Sequence, residues 1–272
     1  MPQITFKIMP NFYQGHTYMW DVSPDFVSPF PWSFTVETAD VPYAKELDWT
    51  ALSPALQNVF VYVGDQVPKY NKDYSEQYRI RLQAADGKTL CSEPRTVFAD
   101  VPKDDWCIMR EIQRKEVLQM RGLSGVPCQL WQRRMTGTPC THCTSPSTGE
   151  IVNPDCPWCM GSGKLGGYHG PYACWATFNV ITRFRTYGEN EQSGVPTDIK
   201  IPAVRFIGNP YIFQKDILAD LSSGRKYVIN KIESVLELRK IPVVQTLYTA
   251  ELSPQDIANK LGTDTPVGVS NC

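Results

Sequence analysis

The stretch Tyr78-Arg79-Ile80-Arg81-Leu82-Gln83 decides the class of this chain. Tyr78, Ile80 and Leu82 fall on one face, Arg79 and Arg81 on the other. A period of two is the pattern of a half-buried antiparallel strand, with the arginines expected outward. Ala85-Asp86-Gly87-Lys88 follows as a hairpin turn, in which Gly87 can take a positive φ. Working outward, short strand-like runs recur at Ile4–Met9, Thr17–Val22, 33–37, 59–63 and 95–98. Pro, Gly, Asp and Asn punctuate the intervals. The expectation is a chain that is mainly β, opening with a β-sandwich over residues 1–102 that folds by itself. Trp20 is expected to fill the space between its two sheets.

Composition agrees with a strand-and-turn chain. The 272 residues include 22 prolines, and aromatics make up 11%. A net charge of −1 excludes a polycation built along its whole length for phosphate backbones. No run of 18 apolar residues occurs, so no membrane partner is expected. The first residues, Met1 to Gln14, lack a basic segment followed by a long apolar run, so no signal peptide is expected. Of nine cysteines, five (Cys91, Cys107, Cys128, Cys174 and Cys272) stand apart from a metal-type quartet. That odd remainder fits synthesis in a reducing cytosol better than a secreted disulfide framework.

Residues 103–138 read as a helix and connector. Asp104 can cap a helix that ends at Gly122. Ile108, Met109 and Ile112 would face the core, and Glu111 and Lys115 form a favourable i,i+4 pair. Residues 171–262 read as a second β-rich module, an assembly module with strands at 178–187, 200–207, 225–232 and 243–249 and a short capped helix over 253–261. Residues 263–272, polar and glycine-flanked, read as a flexible tail.

Between these lies the segment 139–170. It contains Cys140-Thr141-His142-Cys143 and Cys156-Pro157-Trp158-Cys159, which is C-x2-C-x12-C-x2-C. Each C-x2-C turn brings two sulfurs to one point, and the excursion between them lets the second pair close opposite the first. Cys140, Cys143, Cys156 and Cys159 are therefore the expected ligands of one zinc ion. Four thiolates leave no open coordination position, so the ion is expected to be structural. Two disulfides or free thiols are the alternatives. Redox chemistry at either CxxC would call for a βαβ setting that the flanking residues do not supply.

Nothing in the sequence spells an active site. His142 sits inside the first knuckle, pointing to solvent or toward a knuckle thiolate. His169 reads as a turn residue and His16 precedes a strand. None has a visible nucleophile partner. Gly161-Ser162-Gly163-Lys164 fails as a phosphate loop, because position 158 is Trp and Lys164 is followed by Leu165. No catalytic and no cofactor-binding residues are expected, and the chain is read as a non-enzyme.

Several resemblances bear on function. Trp20, the run from Tyr78 to Ala84, Gly87 and Ser92-Glu93-Pro94 give the first hundred residues a resemblance to a fibronectin type III domain, with another β-sandwich as the alternative. Cys156 to Gly163 resembles the knuckle of the DnaJ-type chaperone zinc domain, but the first knuckle lacks its glycines and no His-Pro-Asp occurs. The same residues are similar to a rubredoxin knuckle, which would hold iron; the first knuckle again departs from it.

A longer succession resembles structural proteins of the neck and connector of tailed bacteriophages. It runs from Arg133-Arg134 through the quartet to Pro171, then through Arg225 to Ile232 and Arg239 to Gln245. The resemblance implies a virion component made in the host cytoplasm. It would assemble as a homo-oligomeric ring with other neck or tail proteins, and it carries over the four cysteines alone. A baseplate or tail position is the alternative within that class. A nucleic-acid-binding zinc ribbon is the alternative outside it. Residues 121–170 offer only Arg121, Arg133, Arg134 and Lys164 against Glu150 and Asp155, too sparse a basic stripe for a phosphate footprint. An enzyme acting on cell walls is held back by the missing constellation.

Overall fold

Strands are the main regular structure in a computed structural model that describes residues 2–12, 15–39, 49–66, 76–97, 101–145, 148, 150–182, 200–207, 211–238 and 241–262. The first eight strands are β1 (Ile4–Met9), β2 (Thr17–Val22), β3 (Trp32–Ala39), β4 (Thr50–Ala51), β5 (Leu56–Gln57), β6 (Val61–Val63), β7 (Gln77–Ala84) and β8 (Thr89–Cys91). They form two sheets, β1-β2-β6 and β4-β3-β7-β8, with β5 also paired to β3. Inward residues of both sheets make one core, including Phe6, Trp20, Phe34, Val36, Phe60, Ile80 and Leu82. The Phe34 ring lies 5.5 Å from that of Trp20 and 5.0 Å from that of Phe60. This is a sandwich, and Tyr78, Ile80 and Leu82 face its core as their alternation predicts.

Arg79 corrects the expectation of an outward arginine. It lies on the outer face but is only 7% exposed. Its Nε donates to Glu37 Oε2 at 2.7 Å, and its guanidinium lies 4.3 Å from the Trp49 ring centroid. The acid on the neighbouring strand and the indole above neutralise and cover it. The last strand also differs. It is β8, directly after the Gly87 turn (φ 83°), while Arg95 makes only an isolated bridge to Tyr78. Phe98 lies outside the described residues.

Helix α1 spans Lys103–Gln119 and continues as a π-turn over Met120–Ser124. Pro102, not Asp104, occupies the N-cap position, and no side chain caps the helix. Asp104 and Asp105 lie in the first turn, where they complement the helix dipole. The buried face is Trp106, Met109, Gln113 and Val117, whereas Ile108 is 53% exposed. Polar Gln113 is buried because its Oε1 accepts the Phe12 N–H at 2.9 Å. Phe12, Val101, Trp106 and Met109 then pack with Val243 and Val244 of the distal module.

That module is a closed six-stranded antiparallel barrel. Its strands are β9 (Val126–Arg133), β10 (Tyr168–Thr182), β11 (Lys200–Phe206), β12 (Ile217–Asp220), β13 (Lys226–Leu238) and β14 (Ile241–Glu251), ordered β10-β11-β14-β13-β12-β9. Leu130, Val204, Phe206, Leu218, Ile229 and Leu247 fill the interior. The barrel begins earlier than residue 171, because β9 closes it between β10 and β12. The part of the expected 178–187 strand beyond Thr182 lies outside the described residues, as does the expected flexible tail, 263–272.

The short helix expected over 253–261 is a single 3-10 turn, Ile257–Lys260, capped by Asp256 Oδ1, which accepts the Ala258 N–H at 2.9 Å. Ala258 and Leu261 pack on Trp131 and Ile217. Among the described residues no helix is long and apolar enough to cross a membrane.

Candidate metal centre

Cys140, Cys143, Cys156 and Cys159 converge in the excursion between β9 and β10. Their sulfurs all lie within 4.8 Å of one another, and each cysteine is buried, with exposures of 0, 3, 2 and 0%. Two cross-knuckle separations are 3.8 Å (Cys140 to Cys156) and 3.2 Å (Cys143 to Cys159). A disulfide would hold its sulfurs at about 2.0 Å. Four sulfurs about 2.3 Å from a central ion at tetrahedral angles would stand roughly 3.8 Å apart. The Cys140–Cys156 separation matches that value, the Cys143–Cys159 one is shorter, and both are too long for a disulfide, so this buried quartet could bind a metal.

The local chain explains the convergence. At the first knuckle the Cys140 carbonyl accepts the Thr144 N–H at 3.0 Å, and the Cys143 carbonyl accepts the Val152 N–H at 2.7 Å. At the second, the Cys159 carbonyl accepts the Ser162 N–H at 2.9 Å. The chain reverses there with positive φ at Met160, Gly161 and Gly163. A Cβ on Gly161 would meet the Pro154 carbonyl oxygen at 2.8 Å, so only glycine allows that approach. The Cys140 N–H donates to the Gly163 carbonyl at 2.9 Å, stitching one knuckle to the other.

Burial raises the Cys140 and Cys143 thiols above their ordinary value. At Cys156 burial acts in the same sense but is outweighed, chiefly by the backbone N–H groups of Trp158 and Cys159, and its thiol is lowered. A cation at the centre would favour all four thiolates at once. Outside the sulfurs, the His142 and Trp158 rings stack at 5.0 Å with an interplanar angle of 19°. His142 thus packs on the other knuckle's indole, and Trp158 remains 55% exposed.

Two arginines tie this loop to the rest of the molecule. Arg133 Nη2 donates to the carbonyls of Gly161 (3.0 Å) and Ser162 (3.3 Å), gripping the second knuckle from the end of β9. Arg134 Nη1 donates to the Asn58 carbonyl of the sandwich at 3.1 Å, and its N–H donates to the Gly167 carbonyl at 3.0 Å. The sequence offered Arg133-Arg134 as part of a longer pattern and of a sparse basic set, with no structural role for either side chain.

Asp216 was not singled out at all. It is fully buried; Oδ1 accepts the Arg133 N–H and Oδ2 the Phe213 N–H, each at 2.7 Å. The Oδ2 bond reaches back to the N–H three residues earlier and not two residues on as in an ordinary Asx turn, so Phe213-Gln214-Lys215-Asp216 carries no turn signal of that kind.

Desolvation pushes Asp216 up to about 7 from its ordinary 3.8, against the two N–H donors and the Arg133 charge. Between those values the folded chain holds a proton that the unfolded chain has released. The Asp216 contribution to stability is therefore fully present below pH 3.8 and is lost as pH rises through about 7. The loss amounts to about 1.4 kcal/mol per pH unit across that window. Denaturant titrations in chelator should show this slope in the parent and not in Asp216→Asn; equal slopes would assign it to other groups.

The remaining histidines stay apart from the sulfurs. His16 Nδ1 accepts the Asn11 N–H at 3.0 Å. His169 lies in β10 and not in a turn, paired in register with Gln132. Burial, helped by the Arg134 charge, lowers it to about 3, so it is neutral at ordinary pH. Comparison of the chain with protein families, with curated proteins and with solved structures finds no match.

Proposed function

We propose that this chain is a structural component of a tailed-phage virion. In this reading it is one copy of a symmetric ring in the neck, collar or head–tail joining region, and a structural zinc ion fixes its β9–β10 loop. The observation that carries the reading is the double clamp on the metal loop. Arg133 fastens the loop to the barrel and Arg134 fastens its stem to the sandwich, so the loop is anchored on two sides. A pre-ordered loop loses less conformational entropy on docking than a mobile one, which suits repeated contacts in an assembly. The succession of sequence around the quartet supports a phage neck in particular. The pairing of a β1-β2-β6 sheet with a β4-β3-β7-β8 sheet supports a fibronectin type III-like sandwich, held outward as decoration or as an anchor.

An all-sulfur site of this spacing takes zinc, or iron in the rubredoxin manner. Elemental analysis of protein purified without added metal is expected to show one zinc per chain. Stoichiometric iron, or no metal, would count against the zinc assignment. The virion assignment is tested by mass spectrometry of purified particles and by image reconstruction. The chain should be present in ring stoichiometry beside portal or tail proteins, and its absence from particles would refute the role.

A further inference from the structure

Strand β9 joins two exposed apolar regions that no described residue covers. At its start, Leu123 in the π-turn is 88% exposed; Leu118 in the last turn of α1 is 51% exposed. Leu221, 53% exposed, belongs to the same end of the barrel, since its N–H donates to the Pro127 carbonyl at 3.1 Å. Arg121 is the exposed charge in this π-turn. At the other end of β9 the chain enters the metal loop, whose Ile151, Val152 and Trp158 are 39, 73 and 55% exposed. Glu150 and Asp155, both exposed, flank them. The first region thus carries the exposed cation Arg121, with Asp220 half-buried beside Leu221, and the second carries two exposed carboxylates. An eight-residue strand separates them, roughly 25 Å at about 3.3 Å per residue.

We propose that these two regions bind each other between copies, the π-turn end of one chain docking on the metal loop of the next. This deepens the ring reading by naming its contact and rests on that reading for the identity of the partner as a second copy. The choice of a second copy follows from complementarity. Apolar residues beside an exposed cation meet apolar residues beside two exposed carboxylates, and both sets occur once on every chain. Because the regions are different and sit at opposite ends of one strand, the contact is head-to-tail. Such a contact propagates from copy to copy and closes into a ring when the rotation allows. The metal supports it directly, since the acidic, apolar half of the contact is held in shape by the sulfur quartet.

The test uses the purified full chain with its metal. Light scattering should give a mass above a dimer. Leu123→Asp and Val152→Asp, both at exposed positions, should each shift that mass toward monomer while leaving the circular dichroism spectrum unchanged. Mixed together, the two variants should form a one-to-one dimer and nothing larger, because each retains the half that the other has lost. Arg121→Glu should weaken association, and Glu150→Arg on the same background should restore it.

A parent chain that stays monomeric at its solubility limit overturns the proposal. So does an oligomer indifferent to both aspartate substitutions, or variants that fail to pair when mixed. These outcomes are separable from the virion reading. Chains that associate as described but are missing from purified particles would refute the neck assignment and leave the contact standing.

Discussion

Cys156→Ser should abolish metal binding at the quartet and unfold residues 139–167 while the sandwich and barrel remain folded. Cys156 is 2% exposed and its sulfur stands 3.8 Å from that of Cys140, so a hydroxyl there removes one of four converging ligands. Binding free energy at structural zinc sites in small domains is about 10–16 kcal/mol, and where no other core exists it is folding free energy. Among the described residues the loop's own apolar core, apart from the four cysteines, holds only the partly buried Leu165, so without the metal the arginine clamps and backbone hydrogen bonds would have to hold it alone. The barrel fares differently, because β9 and β10 pair from Arg133–Tyr168 onward without help from the loop. Amide exchange should show the loop protected in the parent and open in the variant, with β9, β10 and β7 unchanged. Global unfolding, or a loop that stays protected without metal, would sink this account.

Trp20→Ala should cost about 3–5 kcal/mol, the range for emptying a large aromatic from a packed core. Trp20 is 3% exposed and its ring packs on Phe34, between the two sheets. Its Nε1 has no hydrogen-bond partner among the described groups. The loss is therefore one of packing, and Trp20→Phe should be milder because no satisfied donor disappears with the indole. Chemical denaturation of the three proteins checks the order. An alanine variant within 1 kcal/mol of the parent, on a scale where surface changes stay near ±0.5, would place the indole outside the core.

The excised sandwich is a less independent unit than its strand pattern suggests. Phe12 is fully buried against Trp106, Met109 and Val243, beyond the 1–102 boundary. A fragment of 1–102 is expected to fold yet expose this ring, with lower stability than the same residues in the full chain.

What the sequence disclosed followed from how local each signal was. Alternation in Tyr78 to Gln83 needs only the strand itself, and two C-x2-C turns need only their own backbone, so both were legible. The outward face of Arg79 was legible too, but its burial depends on Glu37 and Trp49 arriving from elsewhere. The buried face of α1 runs Trp106, Met109, Gln113 and Val117, and a polar residue in that row hides the stripe. Gln113 is apolar in effect only because Phe12, a hundred residues away in sequence, occupies its carbonyl. Strand β9 alternates Val126, Cys128, Leu130 and Gln132, yet it falls within the stretch 103–138 expected to be a helix and connector. Strand β12 is only four residues, below the length at which a pattern can be recognised. Barrel closure joins these two weak strands to each other, a pairing no local window contains. Arg133, Arg134 and Asp216 likewise gain their roles from distant backbone groups.

The place where the metal loop leaves the barrel has a consequence for how this molecule can vary. The loop departs after Arg133 and returns at Tyr168, and those two residues face each other as the last rung of a ladder. Its endpoints are held together whether or not the loop exists, so the entropy of closing it is already met by the barrel. Residues 134–167 can then be shortened, lengthened or exchanged for a tight turn without shifting the register of any strand. Surface specificity at that site is free to drift at the pace of a loop while the barrel beneath keeps the pace of a core.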